Sequence, residues 1–190
     1  ALTTTGGTNT ALGTRAGLVL TEGSSNTFVG KDAGDSATVI NEAVLIGHNA
    51  GHTISTSTAV DGTVGIGAEA LAGLTTGANN LALGYHAMQV HTTGHSNIAI
   101  GYGAMDDTDA GSNSLDSDNN IFIGVNSGGG TWTDAKSEYN TVVGNSAFVG
   151  ALEECYKCVT LINGALLSRP SKGGAQGGRC ARRSRSTPAL

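Results

Sequence analysis

The sequence repeats a short pattern at a nearly constant interval, and this repeat constrains the fold more than any other feature. The segment TTGANNLALGYHAM at 75–88 is followed three residues later by TTGHSNIAIGYGAM at 92–105, and nine of the fourteen aligned positions are identical. Self-similarity at a short period is typical of solenoids, in which each repeat forms one unit that stacks on its neighbours.

Eight copies of the pattern align on an anchor glycine that follows a short aliphatic run, and consecutive anchors lie 17 to 23 residues apart. The anchors are Gly13, Gly30, Gly47, Gly67, Gly84, Gly101, Gly124 and Gly144. Counted from the anchor, position −1 is always aliphatic, and position +3 is always small, with alanine in seven copies and Ser127 in the other. Position −4 is asparagine in six copies: Asn9, Asn26, Asn80, Asn97, Asn120 and Asn140. Ala43 and Thr63 replace it in the remaining two.

The repeat predicts an all-β fold. Each copy contains a run of about five aliphatic or β-branched residues, which is strand length and too short for a helix. The intervening segments are rich in turn-forming glycine, asparagine, serine and aspartate. We therefore expect a parallel β-solenoid of about eight coils over residues 1–150. Aliphatic side chains at one position should form a continuous internal column, and the asparagines should stack as an amide ladder. The longer copies should carry loops, the largest around 106–119.

The composition suits such a repetitive core. Of the 190 residues, 30 are glycine and 4% are aromatic, which is little material for one conventional globular interior. No apolar run approaches the ~18 residues that a transmembrane helix requires, so membrane insertion is not expected. Because the first repeat begins within the first ten residues, without a signal peptide, we expect the chain to be part of a longer or processed protein.

Charge separates the repeat region from the C-terminal tail. Residues 1–151 carry 3 basic and 13 acidic side chains, whereas residues 152–190 carry 7 basic and 2 acidic ones and all three cysteines. An acidic repeat region is a poor partner for nucleic-acid phosphates. The irregular tail, 151–190, is expected to contain at most a short helix, followed by a Gly/Arg/Ser-rich segment that is disordered or frame-derived.

The repeat resembles known fibrous surface proteins. Segments such as NTFVGKDAG at 26–34, NIAIGYGAM at 97–105 and NTVVGNSAF at 140–148 are similar to the head repeats of trimeric autotransporter adhesins, and more so to phage and virus tail-fibre repeats. This resemblance implies a left-handed parallel β-roll that forms a homotrimer, with position +3 at a close coil–coil or chain–chain contact. The repeats here are longer and less uniform than typical adhesin heads, which favours the fibre branch.

Few residues point to chemistry. The five histidines lack metalloenzyme spacing and are expected in loops or on coil surfaces, and no nucleophile with a base is apparent, so no enzymatic activity is predicted. The acidic loop offers hard oxygen ligands of the kind that Ca²⁺ prefers, although a solvated loop is the commoner outcome. Its candidate ligands are Asp106, Asp107, Asp109, Asp116 and Asp118; no other cofactor is expected. Tyr85 and Tyr102, which share position +1 on adjacent copies, and Trp132 are candidate receptor contacts.

The sequence thus favours a structural segment of a viral or phage tail fibre. It would display loops that attach to a host-surface glycan or protein receptor, in the virion tail fibre or at a cell surface. One alternative is a bacterial trimeric autotransporter adhesin head. Another is an ice-binding β-solenoid, suggested by threonine pairs and by the segment 53–60. A polysaccharide-cleaving solenoid would need paired carboxylates, but the acidic residues lie at scattered positions of the repeat.

Overall fold

The computed structural model describes residues 6–54, 60–107, 117–130, 137–149 and 159–161. Their regular secondary structure consists of nine three-residue strands, and these residues contain no α-helix. The strands are β1 (Thr10–Leu12), β2 (Thr27–Val29), β3 (Val44–Ile46), β4 (Val64–Ile66), β5 (Leu81–Leu83), β6 (Ile98–Ile100), β7 (Ile121–Ile123), β8 (Thr141–Val143) and β9 (Val159–Leu161). The described part of the chain includes no helix with the length and apolarity needed to span a membrane.

The nine strands form one parallel sheet in chain order. Each strand pairs with the equivalent residues of the next repeat: Thr10 pairs with Thr27, which pairs with Val44. Additional residues in the longer copies do not shift this register, since Ile100 pairs with Ile123 across 23 residues. The predicted all-β parallel solenoid is therefore confirmed, with about seven turns between β1 and β8.

The anchor glycines are required by both backbone conformation and space. All eight have φ between +131° and +142°, a region that residues with a Cβ atom avoid. In each of the first seven, a Cβ atom would overlap the backbone of the next anchor; at Gly84 it would overlap the carbonyl group of Gly101. The glycine column therefore allows consecutive coils to approach closely.

Three further positions turn the backbone in every coil. Positions −5, +2 and +4 all have φ between +49° and +68°, in the left-handed region that glycine and asparagine adopt most readily. Large residues nevertheless occupy many of these corners, among them Arg15, Met88 and Tyr139. The conformation is imposed by the coil rather than by local sequence preference, because backbone hydrogen bonds to the next coil surround each corner.

The core is filled from inside the coil at positions −2, +3 and +4. Side chains alternate along a strand, so position −2 points inward, and Phe28, Leu45 and Phe122 are fully buried there. The small residues at position +3 are also buried. They therefore lie at a coil–coil contact within one chain, which leaves them unavailable for the chain–chain contact that the resemblance also allowed.

The position that is aliphatic in every copy, −1, does not form the internal column. Positions −3 and −1 point away from the core, and most of their side chains are partly exposed, with Leu12 at 67% and Leu83 at 41%. The expected internal aliphatic column thus lies at position −2, where two copies have alanine in mid-sheet (Ala82 and Ala99) and one has Gly65. We refer to positions −3 and −1 of the nine strands as the outer sheet face.

The asparagines at position −4 form a hydrogen-bonded ladder between coils. Asn97 Oδ1 accepts hydrogen bonds from the backbone and side-chain nitrogens of Asn120 at 2.9 and 3.1 Å, and Asn97 Nδ2 donates to the Ser117 carbonyl at 2.8 Å. Asn120 and Asn140 repeat the arrangement. Because these amides are buried, each rung satisfies polar groups that would otherwise be desolvated without a partner.

A ninth strand lies in the tail that follows the eight copies. Val159 pairs with Thr141 and Leu161 with Val143, which extends the parallel sheet beyond β8. A short helix was one expectation for this segment, but these three residues are a strand. The other residues of the predicted tail, and most of the loop at 106–119, lie outside the described ranges.

Candidate functional site

The candidate receptor contacts Tyr85 and Tyr102 are brought together by the coil repeat. Both follow an anchor glycine directly, so they occupy the same corner of adjacent coils. Their ring centroids are 5.4 Å apart with planes inclined by 18°, which is within the range of favourable aromatic stacking. Tyr85 remains 46% exposed and Tyr102 54% exposed. The third candidate, Trp132, lies outside the described residues.

His86 supports one side of this tyrosine pair. Its ring stacks on Tyr85 with centroids 3.7 Å apart, and its Nε2 atom lies 3.1 Å from Glu69 Oε2 of the preceding coil. Glu69 Oε2 also accepts a hydrogen bond from the Gln89 side chain. The imidazole thus packs against the Tyr85 ring, although its Nε2 atom forms no hydrogen bond with good geometry among the described residues.

Tyr102 is followed by Gly103, and the Asn126 side chain of the next coil packs against this glycine. A Cβ atom at Gly103 would lie 2.6 Å from Asn126 Oδ1 and 3.3 Å from Asp106 Oδ2, so the amide already occupies this space and both oxygens lie close to the glycine backbone. Partial burial raises the pKa of Asp106, although a backbone hydrogen bond with Gly130 acts in the opposite direction. The site therefore places an amide oxygen and a carboxylate oxygen beside the residue that follows the exposed Tyr102.

The predicted calcium ligands are only partly placed by the structure. Asp109 and Asp116 lie outside the described residues. Asp106 lies close to Gly103, whereas Asp118 Oδ1 accepts a 2.6 Å hydrogen bond from the backbone of His95. Within the described ranges no group of three or more His, Cys, Asp or Glu side chains is arranged to hold a metal ion. The calcium site thus stays a prediction with no geometric support from Asp106, Asp107 and Asp118.

His91 contradicts the expectation that the histidines lie on the surface. Its side chain is fully buried, and Asn97 Nδ2 lies 3.3 Å from its Nε2 atom. Burial lowers the pKa of His91 to about 4, while a hydrogen bond with the Gly94 backbone and the charge of Asp118 oppose that effect. His91 therefore cannot join His86 and His95 on an exposed ligand-binding face, because its imidazole is part of the polar core.

A second ladder, which the sequence analysis missed, runs along position −6. Backbone nitrogens there donate to the side chain of the next coil: Ser24 to Asn41 Oδ1 at 3.0 Å and Asn41 to Asp61 Oδ1 at 2.8 Å. Ala78 donates in the same way to His95 Nδ1 at 3.1 Å. The residue types at position −6 differ, so sequence identity gave no signal for this ladder. The acceptors Asn41, Asp61 and His95 share only a side-chain atom that can accept a hydrogen bond.

An ion-pair cluster joins the first three coils. Arg15 contacts Asp32 at 2.9 Å and Asp35 at 2.7 Å, and His52 Nδ1 lies 2.7 Å from the other Asp35 oxygen. Burial alone would raise the pKa of Asp35, but the hydrogen bonds and charges of Arg15 and His52 bring it below its ordinary value. Because these ion pairs link residues of successive coils, the cluster serves coil stacking.

Threonine hydroxyls, which suggested ice binding, are also engaged between coils. Thr21 Oγ1 donates to the Thr38 carbonyl at 3.0 Å, and Thr75 Oγ1 donates to the Thr92 carbonyl at 2.9 Å. These hydroxyl protons are therefore not available to order water. Within the segment 53–60, Thr53 Oγ1 likewise donates to the Ala72 carbonyl at 2.7 Å, whereas Thr56 and Thr58 lie outside the described residues.

Comparison with known proteins returned no family model, curated protein or solved structure that matches this chain.

Proposed function

We propose that this chain is a structural segment of a viral or phage tail fibre, which assembles as a homotrimer and carries contacts for a host surface. Its role is mechanical and multivalent, without catalysis. The regularity of the sheet supports a rigid shaft: nine strands pair in register, and long-range hydrogen bonds join every coil to the next. Several copies held on one shaft would raise the avidity for a repetitive surface.

The observation that carries the proposal is the outer sheet face. It is aliphatic at every position except three threonines: position −3 holds Thr10, Thr27, Val44, Val64, Leu81, Ile98, Ile121, Thr141 and Val159, and position −1 holds Leu12, Val29, Ile46, Ile66, Leu83, Ile100, Ile123, Val143 and Leu161. No charged residue interrupts it. Soluble monomers rarely expose a continuous apolar surface of this extent, so the face is suited to burial against partner copies.

The charge distribution supports self-association through this face rather than through another. The acidic residues of the repeat region lie away from positions −3 and −1, so copies that meet there do not bring like charges into contact. The threefold count is supported by the resemblance to trimeric fibre repeats. An acidic coil surface also disfavours nucleic acid as a partner.

Sedimentation analysis of the full chain tests the proposal. We expect a single species at three times the 18.9 kDa of one chain. The double variant Ile98→Lys/Ile100→Glu should give monomers that keep the β-sheet circular dichroism, because both side chains already lie at the surface of one chain. Val90→Lys is the matched control: Val90 is 43% exposed but lies outside the strands, so its variant should sediment like the unmodified protein. A stable unmodified monomer would refute the assembly.

A further inference from the structure

The corner that holds Tyr85 and Tyr102 changes character along the solenoid. At position +1 the first three coils have Thr14, Lys31 and His48, and the eighth has Asn145. Coils four to seven instead have Ala68, Tyr85, Tyr102 and Val125. The same corner is thus polar at both ends and apolar or aromatic in the middle, although the backbone geometry is equivalent throughout. The coil therefore folds with polar or apolar residues at this corner, so the exposed aromatic pair is a feature of the middle coils and not a requirement of the repeat.

Position +2 of the same coils adds hydrogen-bonding groups directly beside the rings. Glu69, His86 and Asn126 occupy this corner, and the Asn126 amide oxygen fills the space beside Gly103. Asp106 Oδ2 also lies close to Gly103. The polar groups on the side of Tyr102 therefore include two acceptors, an amide oxygen and a carboxylate oxygen, whereas the His86 imidazole lies against Tyr85.

We propose that this middle section binds a neutral pyranose sugar, with the exposed rings of Tyr85 and Tyr102 against its C–H groups and with Asn126 and Asp106 accepting from its hydroxyl groups. This inference rests on the proposed function and specifies the ligand class of its host contact. It concerns a side-chain site at one corner of the coils, whereas assembly depends on the outer sheet face.

Complementary chemistry supports this ligand class. Pyranoses present a weakly polarised C–H surface, which packs favourably on the electron-rich face of an aromatic ring, and hydroxyl groups that donate to fixed acceptors. Sugars that carry a carboxylate are disfavoured, because Glu69 and Asp106 would lie close to that charge in a repeat region with a large acidic excess. Neutral sugars should therefore bind in preference to uronic and sialic acids.

The repeat itself supplies substitutions that the coil tolerates. Tyr85→Thr introduces the residue of the first coil at this corner, and Tyr102→Asn introduces that of the eighth. Tyr139→Ser is the matched control: Tyr139 is 48% exposed at position −5, where Ser25 and Ser96 occupy other coils. All variants should keep the assembled mass and the melting temperature of the unmodified protein within a few degrees.

The experiment is a printed array of neutral and carboxylate-bearing oligosaccharides, followed by titration calorimetry with the neutral oligosaccharide that gives the highest signal. We expect binding restricted to neutral sugars, at least tenfold weaker in the Tyr85→Thr/Tyr102→Asn variant and unchanged in Tyr139→Ser. Gly103→Asn, whose side chain would displace the Asn126 amide, should also weaken binding. Absence of neutral-sugar binding, preference for acidic sugars, or equal binding by the double variant would overturn the inference.

Sedimentation of the same samples separates this result from the proposed function. If the protein assembles but binds no neutral sugar, the inferred sugar site is refuted and the proposed fibre assembly is retained. A double variant that dissociates into monomers would show that the tyrosines are a subunit contact, which also overturns the site.

Discussion

Phe122 and Gly128, six residues apart on one coil, occupy the same part of the core: a Cβ atom at Gly128 would overlap the phenylalanine ring. Other coils show the same relation between the sizes of the residues at positions −2 and +4. Where position −2 is large, as in Phe28 and Leu45, position +4 is glycine. Where position −2 is small, as in Ala99, position +4 is a large buried residue, here Met105. Coils two to seven therefore distribute a similar core volume differently between the two positions, whereas the end coils depart from the pattern with Ala11–Gly17 and Val142–Phe148.

This volume exchange predicts strong coupling between Ala99 and Met105. Ala99→Phe alone should lower the unfolding free energy by about 1–3 kcal/mol through overpacking, and Met105→Gly alone by about 2–5 kcal/mol through a cavity. Together they recreate the Phe122–Gly128 pair. The double variant should be more stable than the sum of the two losses by at least roughly 1 kcal/mol, as measured by urea denaturation.

Met88→Gly provides the control for that cycle. Met88 lies on the preceding coil, and Phe122 already coexists with Met105 in the corresponding relation. Ala99→Phe combined with Met88→Gly should therefore show weaker coupling than the combination with Met105→Gly. Equal coupling in both cycles would mean that the core compensates between coils rather than within one.

The glycine column predicts that Gly84→Ala is among the most damaging single substitutions. The alanine would need φ near +142° and would overlap the carbonyl of Gly101. We expect a loss of roughly 3 kcal/mol or more in unfolding free energy, or failure to fold. Gly7→Ala is the control, because a Cβ atom there meets nothing within 4 Å and the backbone does not have positive φ. Similar melting temperatures for the two variants would show that the coils relax around the added atom.

The asparagine ladder is interrupted at Thr63, and this break predicts a stabilising substitution. Thr63 Oγ1 is buried and has no hydrogen-bond partner among the described residues. In Thr63→Asn the new amide oxygen can accept from the Asn80 backbone, as Asn80 Oδ1 does from Asn97 at 2.9 Å. We expect a gain of about 1 kcal/mol in unfolding free energy. Thr63→Val, which only removes the unpaired hydroxyl, separates that effect from the added rung. A lower melting temperature for Thr63→Asn than for Thr63→Val would contradict the prediction.

Buried His91 predicts a loss of stability in acid. Its pKa is lowered from the ordinary 6.5 to about 4 in the fold, so the unfolded chain binds a proton more readily than the folded chain. Both states are neutral at this residue above pH 6.5, so no stability is lost there. As the pH falls from about 6.5 to about 4, protonation of the unfolded chain lowers the unfolding free energy by roughly 3 kcal/mol in total. Asp118 and His95 are the nearest charged or titratable groups that influence it.

The measurement is the unfolding free energy of the protein and of His91→Leu between pH 7.5 and 4. The difference between the two should change with pH across that window, since the variant lacks the buried titrating group. The ion pair of Asp35 and the other carboxylates are common to both proteins and cancel in the difference. Parallel pH profiles would show that His91 does not couple folding to protonation.

Several features of this fold followed from the sequence because they depend on which residues are equivalent. The recurrence of glycine and asparagine identified eight strands, their order and their pairing, since a solenoid stacks equivalent residues directly on one another. The proximity of Tyr85 and Tyr102 followed for the same reason. The exchange of volume between positions −2 and +4 was also readable from the aligned copies but requires knowing that the two positions share space.

The repeat pattern alone left the orientation of each strand undetermined. Positions −3, −2 and −1 are all apolar in copies such as Val44–Ile46, so periodicity does not reveal whether one or two of them face the core. The fold decided that position −2 faces inward, because the left-handed corners at positions −5 and +2 set the direction in which each strand enters and leaves its coil. Those corners carry Arg15, Glu69 and Tyr139, which have no preference for that conformation.

The sequence by itself therefore determined the period, the strand ladder and the residues that recur along it. Only the tertiary structure decided which aliphatic column is left at the surface, that His91 is enclosed, and that acceptors of different types at position −6 serve one ladder. The physical reason is that residue identity reveals which positions of different coils are equivalent. Whether a position faces the core or the solvent depends instead on backbone turns that are stabilised by contacts between coils.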